Sequence, residues 1–380
     1  MDGALTGGAR RLLVVAGEPS GDHHAANLLR SLREHGEFDV RGVAGPRMRA
    51  AGANAIVAQE DLAVIGFSGI VAKLPALLGA RAKLLAACDA FRPEAALLVD
   101  YPGFNLRLGP QLHARGVRVF YYIAPQVWAW HPERAAQMAA WVDRLAVVFP
   151  FEEPVFREAG VSTAFVGHPL LDELEPEVDA ATLRRELGAP PGARLVGLLP
   201  GSRAGEIAHH AQVLVEAGRR VRERHPDAFP VVALAQDASL DHLPAALRAS
   251  VPSVRGRTRA VQAHAECCAV ASGTATLETA LFGTPLVVVY RVGWLNWQIA
   301  KRLVKLSHIG LPNIVAGAEV APELLQDAFT PEAVAKVLGD WLADPAALSA
   351  RRRALSGLRE RLGGPGASRR AAGELARMLA

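Results

Sequence analysis

Three cysteines in 380 residues, Cys88 and the adjacent Cys267 and Cys268, are too few for a disulfide framework and suit a reducing compartment. Long apolar runs are also missing. The longest near-continuous one, Leu62 to Val71, has about half of the roughly 20 residues that span a bilayer, and the first, Leu12 to Ala16, is too short for a signal peptide. No GxGxxG follows an apolar run, which argues against a dinucleotide oxidoreductase, and GxxxxGK[ST] is missing, which excludes a P-loop. There is no D-x-D pair to hold a catalytic metal on a nucleotide sugar. His264-Ala265-Glu266-Cys267-Cys268 has the H-x-E of a zinc deaminase but lacks its spaced second cysteine pair. His23-His24 and His209-His210 lack the i, i+4 spacing of helical zinc ligands and read as solvent-facing helix positions. We therefore expect no metal and no cofactor.

The composition is that of a globular chain, 51% apolar and 21% charged. A formal charge of +4 is compatible with anionic partners but too mild to indicate nucleic acid. The length favours two domains. Short apolar strands alternate with amphipathic segments: RLLVVAG (11–17), AALLVDYPG (95–103), VRVFYYIAP (117–125), RLAVVFPFE (144–152) and TAFVGHPLLDEL (163–174). After the Pro- and Glu-rich ELEPEVDA the rhythm restarts with RLVGLLPGSR (194–203), FPVVALAQD (229–237), CCAVASGT (267–274) and PLVVVYR (285–291). This βαβ alternation predicts an α/β fold of two Rossmann-like domains, residues 1–170 and 171–345, facing a cleft. Residues 346–380 read as helices, broken at Gly363-Gly364-Pro365-Gly366, that return to the first domain or pack on a partner subunit.

Four turns carry candidate chemistry. In LLPGSR a strand runs into a turn whose backbone N–H groups, Ser202 hydroxyl and Arg203 guanidinium suit phosphate oxygens; an ordinary strand-to-helix turn has the same letters. SGTATLE offers Ser272, Gly273 and Thr274 at a helix N-terminus for a diphosphate. Glu278 stands one turn in, placed for ribose hydroxyls rather than a capping box, because the residue three before it is Ala275. In AGEPSGD, Ser20 and Asp22 are either helix caps or ligand contacts. Asp100, ending an apolar strand before Pro102-Gly103, either caps that turn or serves as a general base whose pKa is raised by apolar surroundings.

AGEPSGD, DYPGFN, YYIAPQVWAW, FVGHPLLDEL, LLPGSRAGEI, SGTATLETAL and GLPNIVAG occur in the order found in the lipid-A-disaccharide synthases, glycosyltransferase family 19, and the chain resembles that family over roughly residues 11–330. The resemblance implies a GT-B type, inverting, metal-independent glycosyltransferase of lipid A (lipopolysaccharide) biosynthesis. Its substrates would be UDP-2,3-diacylglucosamine and 2,3-diacylglucosamine 1-phosphate, its products the disaccharide 1-phosphate and UDP. It further implies Asp100 as the base, Arg203 with Ser202 and residues 272–274 on the diphosphate, Glu278 on the ribose and Asn313 orienting donor or acceptor. Ser20, Asp22, Gln126 and Trp128 would line the cleft. Many relatives have serine at Ala124 and arginine at Ala318, so no loop cation is expected at 318. Acylated substrates imply a cytoplasmic enzyme held peripherally on the inner membrane, with Phe67 and Ile70 in LAVIGFSGIVAKLPALLGA as contacts, and a possible homo-oligomer. A UDP-N-acetylglucosamine 2-epimerase, the glycosyltransferase of lipid II synthesis and a nucleotide-sugar sensor without turnover are the rival readings.

Overall fold

The strands of this chain are short and apolar because parallel strands are covered on both faces, which makes near-continuous Val, Leu and Ala runs the stable choice. A computed structural model describes residues 8–62, 68–126, 133–236, 238–241, 243–293 and 307–380, with 68–74 as backbone only. Its contacts divide the chain into two compact units, residues 1–172 with 362–380, and residues 173–361.

The first unit is a seven-stranded, all-parallel sheet of β1 (Arg10–Ala16), β2 (Phe38–Ala44), β3 (Asn54–Ala58), β4 (Ala95–Val99), β5 (Arg118–Tyr122), β6 (Arg144–Val147) and β7 (Thr163–Phe165), in the order 3-2-1-4-5-6-7. Its helices include α1 (Pro19–Leu32), α2 (Pro46–Ala50), α3 (Ser68–Phe91) and α4 (Pro102–His113). The core sits on the sheet, with Leu13, Val15, Leu98, Leu108, Tyr121 and Phe156 fully buried in one cluster.

The second unit is a six-stranded parallel sheet of β8 (Arg194–Leu199), β9 (Ala228–Leu234), β10 (Ser253–Arg255), β11 (Cys267–Ala271), β12 (Leu286–Tyr290) and β13 (Glu323–Leu325), in the order 10-9-8-11-12-13. Helices α5 (Ala204–Arg224), α6 (Thr258–His264), α7 (Thr274–Leu281), α8 (Pro331–Ala343) and α9 (Pro345–Leu355) surround it, and Val196, Leu214, Val287 and Leu338 are among its fully buried residues. Both strand orders reverse direction of winding at one place, between β1 and β4 and between β8 and β11. In such sheets the crevice beyond the carboxyl ends of those two strands is where ligands bind.

The periodicity of the sequence does not single out β2, β3, β10 and β13. The last three are edge strands of three to five residues, and β2 carries Asp39 and Arg41 within its apolar run. The C-terminal helices divide. α9 stays with the second unit against α8, whereas α10 (Ala367–Leu379) joins the first, packing on α1 and β6. A 2.6 Å ion pair of Arg144 with the nearly buried Glu374 and the bond from Arg370 Nε to the Val166 carbonyl fasten α10. Among the described residues no helix is long and apolar enough to cross a membrane.

Candidate functional site

At the end of β4 the chain turns through two consecutive left-handed residues, Asp100 (φ 46°) and Tyr101 (φ 48°), and at the end of the adjacent β5 it does so again at Ile123 (φ 64°). Tyrosine and isoleucine avoid this region on steric grounds, so the fold must hold them there, and such strain concentrates at functional sites. The means are visible: the Asp100 N–H donates to the Tyr122 carbonyl, and the Asp100 carbonyl accepts from Tyr121 Oη and Asn105 Nδ2, both at 2.7 Å. Both side chains are fully buried. Tyr101 lays its ring over Gly17 of β1's exit loop, where a methyl group would fall 2.2 Å from the ring, and its hydroxyl donates to the Leu62 carbonyl.

The Asp100 carboxyl is left half-buried at this rim with its pKa pushed up to about 6, mainly by burial, then by the negative charge of Glu18, against a small opposing pull from the Tyr101 N–H. A carboxylate with that pKa is ionised at neutral pH and basic enough to take a proton. Of the two readings of Asp100, its backbone makes the turn and its carboxylate remains available.

One predicted contact of this unit is corrected. Asp22 is not exposed to a ligand: it is 2% exposed, and its carboxylate accepts from the N–H groups of Gly45, Arg47 and Met48, at 2.8, 2.9 and 3.1 Å. It thus caps α2, while its own helix starts at Glu18 without a side-chain cap. Asp22→Ala would strand those donors and cost about 3 kcal/mol, measurable by urea denaturation. Ser20 is exposed in the first turn of α1, and Gln126 is exposed beyond β5. Trp128 and Phe67 lie outside the described residues, and Ile70 is described only as backbone of α3.

In the second unit the carboxyl ends of β8, β9, β11 and β12 surround a cavity of about 420 Å³. Ser202, Arg203, Ser272, Gly273, Thr274 and Glu278 all line it, so the structure gathers at the switch point every residue the sequence singled out for a nucleotide diphosphate and ribose. The Arg203 side chain is 80% exposed and its nearest carboxylate contact, to Glu206, is a long 3.6 Å, which leaves its donor fork free. α7 begins at Gly273 with no side-chain cap, so its first N–H groups and dipole face the cavity beside Thr274 and Ala275.

The backbone of the PGSR turn is a different matter. The N–H groups of Ser202 and Arg203 donate to Glu206 Oε2 at 3.1 and 3.3 Å, so they are engaged internally rather than open to an anion. Gly201, at φ 111°, sits against that carboxylate. Glu278 lines the cavity with Oε1 paired to Arg259 at 3.1 Å and Oε2 accepting from Gln262 Nε2 at 3.4 Å. Ser272 Oγ donates to the Ile309 carbonyl at 3.3 Å.

Asn313 is also corrected as a direct substrate contact. Fully buried, its Nδ2 donates to the Ala321 carbonyl and Glu323, and its Oδ1 accepts from Val320 and Ala321, all at 2.7–2.8 Å. Glu323 in turn accepts from the N–H groups of Ile309 and Gly310, so Asn313, through Glu323, fixes the loop that Ser272 rests on. The histidine pair divides as well: His209 is exposed, as expected, but His210 is completely buried. Tyr101, Tyr121 and Arg259 carried no sequence signal of their own, since each acts through a partner 19 to 39 residues away, and Asn105 and Glu206 gave none because their bonds to backbone three to six residues back depend on the turn geometry. Among the described residues no cluster of three or more His, Cys, Asp or Glu could hold a metal, and Cys267 and Cys268 are buried in β11.

A family model described as lipid-A-disaccharide synthetase matches residues 12–361. A lipid-A-disaccharide synthase of Geobacter metallireducens is 40% identical over 374 residues, covering 97% of each chain. Two solved structures share the fold: the calicheamicin glycosyltransferase CalG4 (TM-score 0.61, 18% identity, 98% of each chain) and a UDP-GlcNAc 2-epimerase of Neisseria meningitidis bound to UDP-GlcNAc (TM-score 0.64, 11% identity, 97% of this chain and 100% of that one).

Proposed function

The chain belongs to the lipid-A-disaccharide synthase family of glycosyltransferases, and from that premise we propose that Asp100 is its general base and the cavity of the second unit its UDP-sugar site. The reaction takes a sugar nucleotide and a lipid-linked glucosamine. In its full form UDP-2,3-diacylglucosamine and 2,3-diacylglucosamine 1-phosphate give the β-1',6-linked disaccharide 1-phosphate and UDP. Asp100 takes the proton of the acceptor's 6-hydroxyl as that oxygen bonds to the anomeric carbon. The bond from that carbon to the β-phosphate oxygen breaks on the opposite face, with inversion, and its electron pair leaves on UDP.

The charge on the departing diphosphate has to be met by groups already in place, because reorganisation during the step would raise the barrier. Arg203 and the N-terminus of α7 supply them, with Glu278 accepting from the ribose hydroxyls. The observation that carries the proposal is the Asp100 carboxylate, held on a strained turn with a pKa of about 6.

The test is UDP release and disaccharide formation by mass spectrometry from the two acylated substrates, with EDTA and Asp100→Ala as controls. Product formed in EDTA but not by the variant supports the base assignment. A folded, UDP-binding protein that makes no product would sink it, and a 2-epimerase reaction would show as UDP-N-acetylmannosamine when UDP-N-acetylglucosamine is supplied instead.

We also propose that residues 62–80 bring the enzyme to a bilayer surface on the cytoplasmic side of the inner membrane. Support comes from the apolar sequence and from Leu78, 47% exposed on α3 next to exposed Pro75, Ala76 and Gly79. Phe67→Glu with Ile70→Glu, and separately Leu78→Glu, are expected to weaken sedimentation with anionic phospholipid vesicles by about tenfold without changing UDP binding. Unchanged sedimentation of the folded variants would remove this segment from the membrane contact.

A further inference from the structure

We propose that His210 is a positioning residue for the nucleotide diphosphate, holding the PGSR turn and Tyr290 in the geometry that binds UDP. The inference rests on reading the cavity of the second unit as the UDP-sugar site.

His210 lies on α5, about two turns beyond Arg203, on the buried face of the helix. It is fully buried, and both ring nitrogens are engaged. Nδ1 lies 2.9 Å from the Pro200 carbonyl, which can only accept, so Nδ1 carries the proton. Nε2 lies 3.0 Å from both the N–H and the carbonyl of Arg291, and with Nδ1 protonated it accepts from the N–H. Burial lowers the pKa of this imidazole, in keeping with a neutral ring that donates at one end and accepts at the other.

Both partners adjoin the cavity. Pro200 immediately precedes Gly201, Ser202 and Arg203, and Arg291 immediately follows Tyr290, all four of them lining residues. The imidazole also packs against the Tyr290 ring, centroids 5.6 Å apart, and edge-on against Phe329 at the same distance. One side chain thus ties the exits of β8 and β12, which are not neighbours in the sheet because β11 runs between them.

Glu206, one turn earlier on the same helix, grips the other end of the turn through the Ser202 and Arg203 N–H groups. Between them the two side chains fix the PGSR backbone at the carbonyl of residue 200 and at the N–H groups of residues 202 and 203. Arg203 itself is exposed, and its ion pair among the described residues is a long one to Glu206, so its aim at a phosphate depends on that backbone. Hydrogen bonds of this kind change binding by a few-fold to about tenfold each.

The experiment is calorimetric titration of the full-length protein with UDP, alongside steady-state kinetics with both substrates. His210→Phe keeps the aromatic packing and removes both hydrogen bonds, and its UDP dissociation constant and donor KM are expected to rise about tenfold. Acceptor KM should stay within twofold, whereas kcat at saturating donor should fall with the loss of Arg203's aim at the diphosphate. His210→Gln, which can donate and accept again, should recover most of the loss, and His209→Phe on the exposed face should change nothing. A purely structural histidine would instead lower the melting temperature and leave UDP affinity as in the wild type, which overturns the proposal.

If His210→Phe does not fold, His210→Asn decides. It reaches the Pro200 carbonyl but not Arg291, so UDP should bind at least threefold more weakly, and an unchanged constant again overturns the proposal. Failure of the wild type to bind UDP would count against the cavity assignment itself and is read separately.

Discussion

Asp100→Asn is expected to lower turnover by at least about a thousandfold while making the folded protein more stable at neutral pH. The loss follows from the chemistry: an amide cannot take the acceptor's proton, and the same-sized side chain leaves UDP binding intact. The gain follows from linkage. Burial pushes the carboxyl up to about 6 in the fold from an ordinary value of 3.8, so the folded state holds the proton more tightly than the unfolded chain does. Ionisation therefore favours unfolding. The penalty is absent below about pH 4, grows up to pH 6 and is complete above it.

Two pK units correspond to nearly 3 kcal/mol at the most, and because the group is reached by solvent at the rim, about 1–2 kcal/mol is expected at pH 7.5. Asparagine also tolerates the left-handed backbone at φ 46°, so the substitution adds no strain. Denaturant titrations of the two proteins at pH 7.5 and pH 4 check this: the curves should separate at the first and converge at the second. A variant that is less stable than wild type at pH 7.5 would mean that the carboxylate is tied into the fold. In the wild type, kcat/KM should fall on the acid side near pH 6, and Glu18→Gln should move that limb to lower pH by removing the second contributor to the raised pKa.

Arg203→Ala should lower kcat/KM by about a hundredfold or more and leave the melting temperature unchanged. The reason for the second half is geometric. A side chain that is 80% exposed, with a 3.6 Å contact to Glu206 as its ion pair among the described residues, contributes little to folding. The reason for the first half is that the diphosphate needs a fixed cation while the glycosidic bond breaks. Lysine should restore only part of the rate, because its single ammonium cannot present the planar fork that two phosphate oxygens accept together. Equal rates for alanine and wild type would make Arg203 a surface residue. Asp22→Ala should give the reverse pattern, because its carboxylate is spent on the backbone of α2.

The contrast between Arg203 and Asp22 shows where sequence reading works. Both stand in Gly-containing turns after an apolar strand, and both were candidates for the site. Residues 202–203, 272–274 and 278 were legible because the chemistry is local: a strand end, a glycine and a helix start lie within a few residues, and parallel topology brings such ends together. Asp100 was legible as a strand-terminal carboxylate. Its left-handed backbone was not, because what holds it is Tyr121 on the next strand and Asn105 on the following helix. Asn313 and His210 were misjudged for the same kind of reason, one given a ligand and the other a solvent face.

By itself, then, the sequence determined the alternation that makes two parallel sheets, the turns at their carboxyl ends and the family to which they belong. Those depend on side-chain pattern over short stretches, where apolar burial and turn chemistry act directly on neighbouring residues. Only the tertiary structure decided which polar side chains remain available to a substrate. A carboxylate, amide or imidazole can satisfy its hydrogen bonds with backbone groups from anywhere in the chain, and Asp22, Asn313 and His210 do so with partners 7 to 81 residues away. Asp100 and Arg203 find no such partners for their charged groups among the described residues beyond the Tyr101 N–H and Glu206, which is why the proposed mechanism gives them its base and its cation.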